Sequence, residues 1–243
     1  MKKIVLIGGG HTHLETIYRL GESSSAQDHK LVLISSESHT SYSGMAPGLI
    51  AGHYAYDDCH IDLKKLCEKY NYKFIQQSVL KILSTEQKIY TETDTYQYDL
   101  ASINTGSIPN TDSATGIREW TIPVKPITNL ATNIETYLTQ VGYSPKNSTH
   151  KISVVGGGAA SIEILLALQY QANTRGYNNL QYCLITAAND ILETHSLSVR
   201  RRFHRVLHQR DITTHYNASV TEVNEDCVLS LIHISEPTRR RGI

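Results

Sequence analysis

The sequence predicts an α/β protein that carries one strand–turn–helix–strand unit twice, and three observations predict it. First, a short apolar run from Lys3 to Ile7 is stopped by Gly8-Gly9-Gly10. A stretch from His11 to about Leu20 follows, with Leu14, Ile17 and Tyr18 on one helical face. Second, the same order returns as the strand Lys151 to Val155, the turn Gly156-Gly157-Gly158 and a helix from Ala159 to Tyr170. Third, each helix leads to another apolar run, Leu31 to Ile34 or Gln181 to Ile185, of the kind that forms a buried parallel strand. Two Rossmann-like, three-layer ββα units are the expected architecture.

The segments between these landmarks can be taken in order. Ser41 to Gly52 contains Gly44, Pro47, Gly48 and Gly52 and is expected to be a loop. Asp62 to Tyr70 is predicted helical, with Leu63, Leu66 and Cys67 on one side. Tyr72 to Tyr98 alternates Ile, Val, Thr and Tyr and is expected to be a small antiparallel meander. Leu100 to Ile103 is a returning strand, stopped by Asn104-Thr105-Gly106. Ser107 to Pro126 is expected to be irregular, and Leu130 to Val141 helical. Val199 to Gln209 suits a basic amphipathic helix whose Arg200, Arg201, Arg202 and Arg205 form a solvated face, and a short strand follows around Asp211 to Tyr216.

Composition narrows the class. The chain has 243 residues, 40% hydrophobic and 19% charged, with 23 basic residues balancing 23 acidic ones, so nothing favours nucleic acid as a partner. Cys59, Cys67, Cys183 and Cys227 lack metal-ligand or disulfide-framework spacing, and free thiols suit a reducing cytoplasm. No metal is expected. No apolar run approaches the length of a bilayer span, although peripheral attachment to the inner membrane face stays open. Leu229 to Arg239 reads LSLIHISEPTR, which is the translation of a common sequencing adapter in one frame. Residues 229–243 are therefore expected to be an artefact, with the natural sequence departing near Val228 and continuing beyond it.

A glycine turn between an apolar strand and an amphipathic helix has a defined chemical use. The first glycine permits the bend, the second lets a pyrophosphate approach the backbone, and the third allows close helix–strand packing. The helix N-terminus supplies amide donors and partial positive charge. Gly8, Gly10, His11 and Thr12 are the candidates in the first turn, where His13 replaces the third glycine. His11 is expected to contact the pyrophosphate and His13 to pack. Gly156, Gly158, Ala159 and Ala160 are the candidates in the second turn, where Ser161 takes the third position. Two such turns imply two dinucleotides. An acidic residue usually holds the ribose at the end of the second strand. Here Ser35-Ser36-Glu37 and Thr186-Ala187-Ala188 stand there, so Ser35, Ser36 or Glu37 is left to serve the first ribose. The choice between NADH and NADPH stays open at Thr186. Cys59 beside His60 reads either as an activated thiol or as a structural pair.

These motifs together resemble the flavoprotein superfamily of pyridine nucleotide-disulfide oxidoreductases and type II NADH dehydrogenases. Among its members the chain is most similar to the NADH dehydrogenase-like flavoprotein associated with selenide, water dikinase. The resemblance rests on Gly8 to His13, Tyr42-Ser43-Gly44-Met45-Ala46-Pro47-Gly48, Gly52-His53-Tyr54, His60-Ile61-Asp62-Leu63, Thr105-Gly106-Ser107, Val124-Lys125-Pro126-Ile127 and the second glycine turn. Ala46 and Ser161 depart from the leucine and glycine of that pattern.

The resemblance implies that residues 1–110 bind FAD, that 111–127 are a linker, and that 128–228 bind NAD(P)H. The first domain would be interrupted by the second, with the FAD-domain return and a C-terminal domain missing. It places Ser43, Gly44, Met45 and Pro47 near the isoalloxazine, Thr105 and Gly106 along the flavin domain, and Glu163 toward the nicotinamide. The implied activity is hydride transfer from NAD(P)H to flavin, then electron transfer to a quinone or small acceptor, with a possible tie to selenium metabolism. The alternative is a flavin- or nucleotide-binding regulatory module that partners a selenide, water dikinase.

Overall fold

The computed structural model describes residues 1–23, 29–145, 148–225 and 227–230. In chain order the first elements are β1 (Lys2–Ile7), α1 (His11–Gly21), β2 (His29–Ser35), β3 (His39–Ser41), a 3-10 turn (Ser43–Met45), α2 (Ala46–Ile50) and α3 (Tyr56–Cys59). Next come β4 (His60–Asp62), α4 (Leu63–Lys69), β5 (Lys73–Gln76), β6 (Val79–Leu83), β7 (Lys88–Thr91), β8 (Thr95–Gln97) and β9 (Leu100–Ile103). Then follow α5 (Ile117–Trp120), α6 (Ile127–Tyr143), β10 (His150–Val155), α7 (Ala159–Thr174), β11 (Leu180–Ile185), α8 (Leu197–Gln209), β12 (Ile212–His215), β13 (Val220–Val223) and β14 (Val228–Ser230). The chain divides into two compact units. The first holds Met1–Met45 with Ala55–Ile108, and the second holds Ala46–Tyr54 with Pro109–Ile243.

The first unit is built on a parallel sheet of order β5-β2-β1-β9. Successive strand residues point to opposite faces, and both faces of β1 are apolar. Ile4 and Leu6 join Leu31, Leu33, Leu14, Ile17, Leu63 and Cys67 in a core against α1 and α4. Val5 and Ile7 join Ile34, Ile75 and Ile89 in a second core, with Val79, Ile82 and Tyr96 of the antiparallel sheet β6-β7-β8 packed against it. Helices, parallel sheet and small antiparallel sheet make three layers, as the sequence predicts.

One boundary inside this unit differs from expectation. The meander does not begin at Tyr72, because β5 pairs in parallel with β2 and belongs to the central sheet. Phe74 packs toward the helical core while Ile75 is buried in the other. Apolar residues on both faces mark a central-sheet strand rather than a half-exposed one.

The second unit repeats the plan on the parallel sheet β10-β11-β12. Tyr182 and Leu184 of β11 face a core shared with Leu130, Ile134 and Leu138 of α6, Ile162, Leu165 and Leu168 of α7, and Leu207 of α8. Cys183 and Ile185 face the opposite way, against Ala218, Val220 and Val228. The hairpin β13-β14 is the third layer here. Residues 231–243, most of the adapter-like segment, lie outside the described residues.

Two segments expected to lack regular structure have it. Ser41 to Gly52 is not a plain loop, since it holds the 3-10 turn and α2, which packs on α6 and α7 with Ile50 and Ala51 in the second unit's core. Pro47 sits in the first turn of α2, where its missing N–H is not needed. Gly52, at φ +78°, lies just past the helix and stops it. Ser107 to Pro126 likewise contains α5, and Thr115 ties it to β13 through Thr115 N–H to Thr221 O (3.1 Å) and Val223 N–H to Thr115 O (2.8 Å).

Candidate dinucleotide sites

In the first unit, the turn after β1 is held from both sides. Gly8 N–H donates to Ile34 O (2.8 Å), Asn104 N–H to Ile7 O (2.8 Å) and Gly10 N–H to Asn104 O (3.2 Å). Parallel pairing of β9 with β1 therefore delivers Asn104 and Thr105 to the glycine turn. A Cβ on Gly8, whose φ is +90°, would lie 2.4 Å from Asn104 O, and one on Gly10 would lie 2.4 Å from the Asn104 side chain. Asn104 was not among the candidates expected from sequence. Its signal was its place at the end of the strand that pairs with β1.

Helix α1 starts at His11 with no side-chain cap at Gly10 and no acidic residue in its first turn. That leaves an amide-rich, positively biased end suited to an anion. His11 and Thr12 are exposed there. The His11 ring meets Tyr42 edge-on at 4.8 Å, and a Cβ on Gly44 would touch the same Tyr42 ring at 3.1 Å. Met45 N–H closes the 3-10 turn onto Tyr42 O (2.9 Å). The structure thus gathers Gly8, Gly10, His11, Thr105, Tyr42 and Gly44 at one end of the sheet. Ser43 is exposed beside them, and Gly106 is exposed with φ +74°. Pro47 is grouped with the second unit.

His13 occupies the space a third glycine would leave open. It is 1% exposed, its Nδ1–H donates to Gly8 O (2.7 Å), and its Nε2 accepts from the Ser102 hydroxyl (2.9 Å). Burial lowers its pKa below the usual histidine value, against the opposing pull of the Gly8 carbonyl. The sign follows: the unfolded chain takes up a proton near pH ~6.5, whereas the folded chain resists it. Stability present above that pH is lost as pH falls toward the lowered folded-state value. The melting temperature is expected to fall on acidification from pH ~7, and His13→Asn, compared over the same pH series, should flatten that fall. Parallel curves for both proteins would remove His13 from the account.

At the end of β2, Ser35 is buried and its hydroxyl accepts from Glu37 N–H (3.3 Å), while Ser36 and Glu37 are exposed. The exposed pair is therefore better placed for a ribose than Ser35.

The second turn has a different division of labour. Gly156 has φ +126°, and the Ser161 hydroxyl lies 2.6 Å from where its Cβ would be. Serine thus takes the third-glycine position by using space that Gly156 vacates. A Cβ on Gly157 would lie 2.6 Å from Thr186 Oγ1, and the Gly157 carbonyl accepts from Leu192 N–H (2.8 Å). Gly158 has φ −83° and ψ 174°, which any residue adopts, and its Cβ would meet nothing within 4 Å. The fold itself therefore does not require glycine at that position. Helix α7 begins there without a side-chain cap or an acidic first turn, with Ala159 and Ala160 presenting minimal side chains. Glu163 is exposed between buried Ile162 and Ile164.

Beyond β11, Thr186 is buried and its hydroxyl accepts from Ala188 N–H (3.2 Å). Asp190 follows, held by Arg200, by His204 Nε2 (2.6 Å) and by Ile191 N–H (2.7 Å). Burial pushes its carboxyl pKa up, but these donors outweigh burial and leave it below the ordinary range.

Cys59 is the structural member of its two readings. It is buried, and burial together with Asp58 raises its thiol pKa, the opposite of activation. The neighbouring His60 is held by Tyr56, stacked at 3.6 Å with Nδ1–H donating to Tyr56 O (2.7 Å), and its Nε2 is buried without a partner among the described residues. Burial also pushes Cys67 up to about 11. Cys59, Cys67 and Cys183 are buried and Cys227 exposed, so an aromatic disulfide reagent should titrate a single fast thiol that Cys227→Ser abolishes. A second fast thiol would reopen the case for Cys59.

Two three-layer units, each with an uncapped helix behind a glycine turn, define a protein of the two-dinucleotide α/β oxidoreductase class. The chain belongs to the pyridine nucleotide-disulphide oxidoreductase family, whose model matches residues 2–239. The cofactors of that family are FAD and NAD(P)H. The type II NADH:quinone oxidoreductase of Staphylococcus aureus is 22% identical over 161 residues, covering 65% of this chain and 40% of that protein. The chain thus spans less than half the length of that relative. Among solved structures, NDH2 of Plasmodium falciparum in complex with NADH aligns with TM-score 0.79 and 18% identity, over 93% of this chain and 50% of that one. Sulfide:quinone oxidoreductase of Aquifex aeolicus aligns with TM-score 0.75 and 20% identity, over 95% and 54%. Among the described residues no helix is long and apolar enough to cross a membrane.

Proposed function

We propose that the chain is the nucleotide-binding part of an FAD-dependent NAD(P)H oxidoreductase that passes electrons to a quinone or small acceptor. The observation that carries the proposal is the pair of helix N-termini, α1 and α7. Each follows a glycine turn at the carboxyl end of a parallel sheet and has neither a side-chain cap nor an acidic first turn. FAD is assigned to the first turn because Tyr42, Ser43 and Gly44 gather beside His11 there, and NAD(P)H to the second. When bound, FAD supplies an acceptor for hydride and a donor of electrons.

The chain's own contribution is positional. The amides at the starts of α1 and α7 hold pyrophosphate, and Gly158 lets it approach the backbone. His11, steadied by Tyr42, donates to the first pyrophosphate. Ser36 or Glu37 takes the adenosine ribose of FAD, and Met45 and Thr105 bound the flavin. Glu163 on α7 is assigned to the nicotinamide end. A quinone acceptor agrees with the names of the Staphylococcus aureus and Aquifex aeolicus proteins, and on this reading the enzyme works in the cytoplasm, where peripheral contact with the inner membrane face would bring it to such an acceptor.

The test is retention and identity of flavin on purification, followed by quinone addition to the NAD(P)H-treated protein. FAD with quinone-dependent return of its visible absorbance is expected. A colourless protein that refuses added FAD would end the proposal. A second reading, a regulatory module tied to selenide, water dikinase and selenium metabolism, rests on the Tyr42 to Gly48 resemblance. It would be favoured by FAD whose spectrum neither NADH nor NADPH alters.

A further inference from the structure

The end of β11 lacks a free carboxylate to select NADH. Positions 186–189 are Thr, Ala, Ala and Asn, and the Thr186 hydroxyl is buried, accepting from Ala188 N–H. The first acid beyond the strand, Asp190, has one oxygen on His204 and Ile191 N–H and the other on Arg200. It is therefore committed within the protein and is not offered to a ribose 2′-hydroxyl.

The same contacts bring a cation to this end of the sheet. The backbone carbonyl of Asp190 lies 3.5 Å from the Cβ position of Gly157, so the segment carrying Asp190 borders the second glycine turn. Arg200 is anchored to that segment through Nη2; its Nε is buried without a hydrogen-bond partner among the described residues, and the side chain as a whole stays 22% exposed. Its helix, α8, also carries Arg201, Arg202 and Arg205 and no acidic residue. The helix itself therefore carries a net positive charge. A guanidinium has five N–H donors, so Arg200 can keep Asp190 and still bond a second anion.

We propose that the second site selects NADPH over NADH, with Arg200 as the specificity-determining residue that receives the 2′-phosphate. This rests on the assignment of NAD(P)H to the second turn. Ala187, the first exposed position past β11, leaves room for the phosphate where an acid would repel it.

The test is calorimetric titration of the full chain with NADPH, NADH, ADP-ribose and 2′-phospho-ADP-ribose. Each phosphorylated ligand is expected to bind at least about tenfold tighter than its counterpart, the equivalent of one charge-assisted hydrogen bond. Ala187→Glu, at an exposed position, should reverse the preference. Arg200→Met should abolish it, with circular dichroism confirming that the variant is folded. NADH binding as tightly as NADPH, with both lost in Gly158→Val, would overturn this inference and leave the second-turn assignment standing. No binding of either nucleotide, or binding that Gly158→Val does not touch, would overturn the assignment and the inference with it.

Discussion

Gly158→Val is expected to weaken NAD(P)H binding by about a hundredfold or more, the loss of two charge-assisted hydrogen bonds to a pyrophosphate. Its fold should hardly change. The position has φ −83° and ψ 174°, and an added Cβ meets nothing within 4 Å. A poorer residue at the helix start costs about 1 kcal/mol, a few degrees of melting temperature in a chain of this size. Nucleotide titration beside a thermal melt separates the two effects. A variant that binds normally would show that the space in front of Gly158 is not a pyrophosphate site. A variant that is badly destabilised would show that the glycine serves packing instead.

Gly8→Ala is expected to do the reverse, destabilising first and losing flavin as a consequence. Here φ is +90°, and the new Cβ would stand 2.4 Å from the Asn104 carbonyl oxygen, which is fixed by the β9 backbone. Backbone strain and overpacking together cost about 3 kcal/mol, or a melting temperature lower by roughly 10 °C. Gly156→Ala shares the strained backbone, at φ +126°, but its new Cβ meets only the Ser161 hydroxyl, which can rotate away. The Gly156 variant should therefore be the milder of the two. Thermal melts of both, followed by circular dichroism, check the order. Equal losses would mean that strain alone, without the Asn104 collision, sets the penalty.

Much of the fold is legible in the sequence because periodicity reports layers directly. The alternation of Ile4 and Leu6 with Val5 and Ile7 leaves no polar face, so β1 had to be covered on both sides, and it is. The missed features are those in which the partner lies far along the chain. Gly48 reads as a helix breaker, yet α2 forms because Ile50 and Ala51 bury themselves against α6 and α7, and tertiary packing outweighs weak propensity. Strand β5 reads as a meander strand until Ile75 is seen to share a core with Val5 and Ile34.

The candidate sites follow the same rule. Gly8, Gly10, Gly156 and Gly158 are visible as a local pattern, although nothing local tells Gly158, which the fold leaves open, from Gly8, which Asn104 crowds. Asn104 reads in the sequence only as the stop of β9, and it reaches its turn through β9–β1 pairing. Arg200 is expected on the solvated face of α8 with Arg201, Arg202 and Arg205, but unlike those three it is partly buried, because it pairs with Asp190. The third-glycine positions show the limit of motif logic most plainly. His13 and Ser161 both break the motif, and both are accommodated, one by hydrogen bonds to Gly8 O and Ser102 and the other by the space Gly156 leaves.

On the proposed function, the two turns hold two different nucleotides that exchange electrons. Anaerobic addition of NADPH or NADH to the FAD-loaded chain, read as the visible flavin absorbance, tests it most directly. Bleaching by at least one nucleotide is expected, and none in Gly158→Val carrying the same FAD. Undiminished absorbance with both nucleotides in the wild-type chain, despite bound FAD, would contradict it.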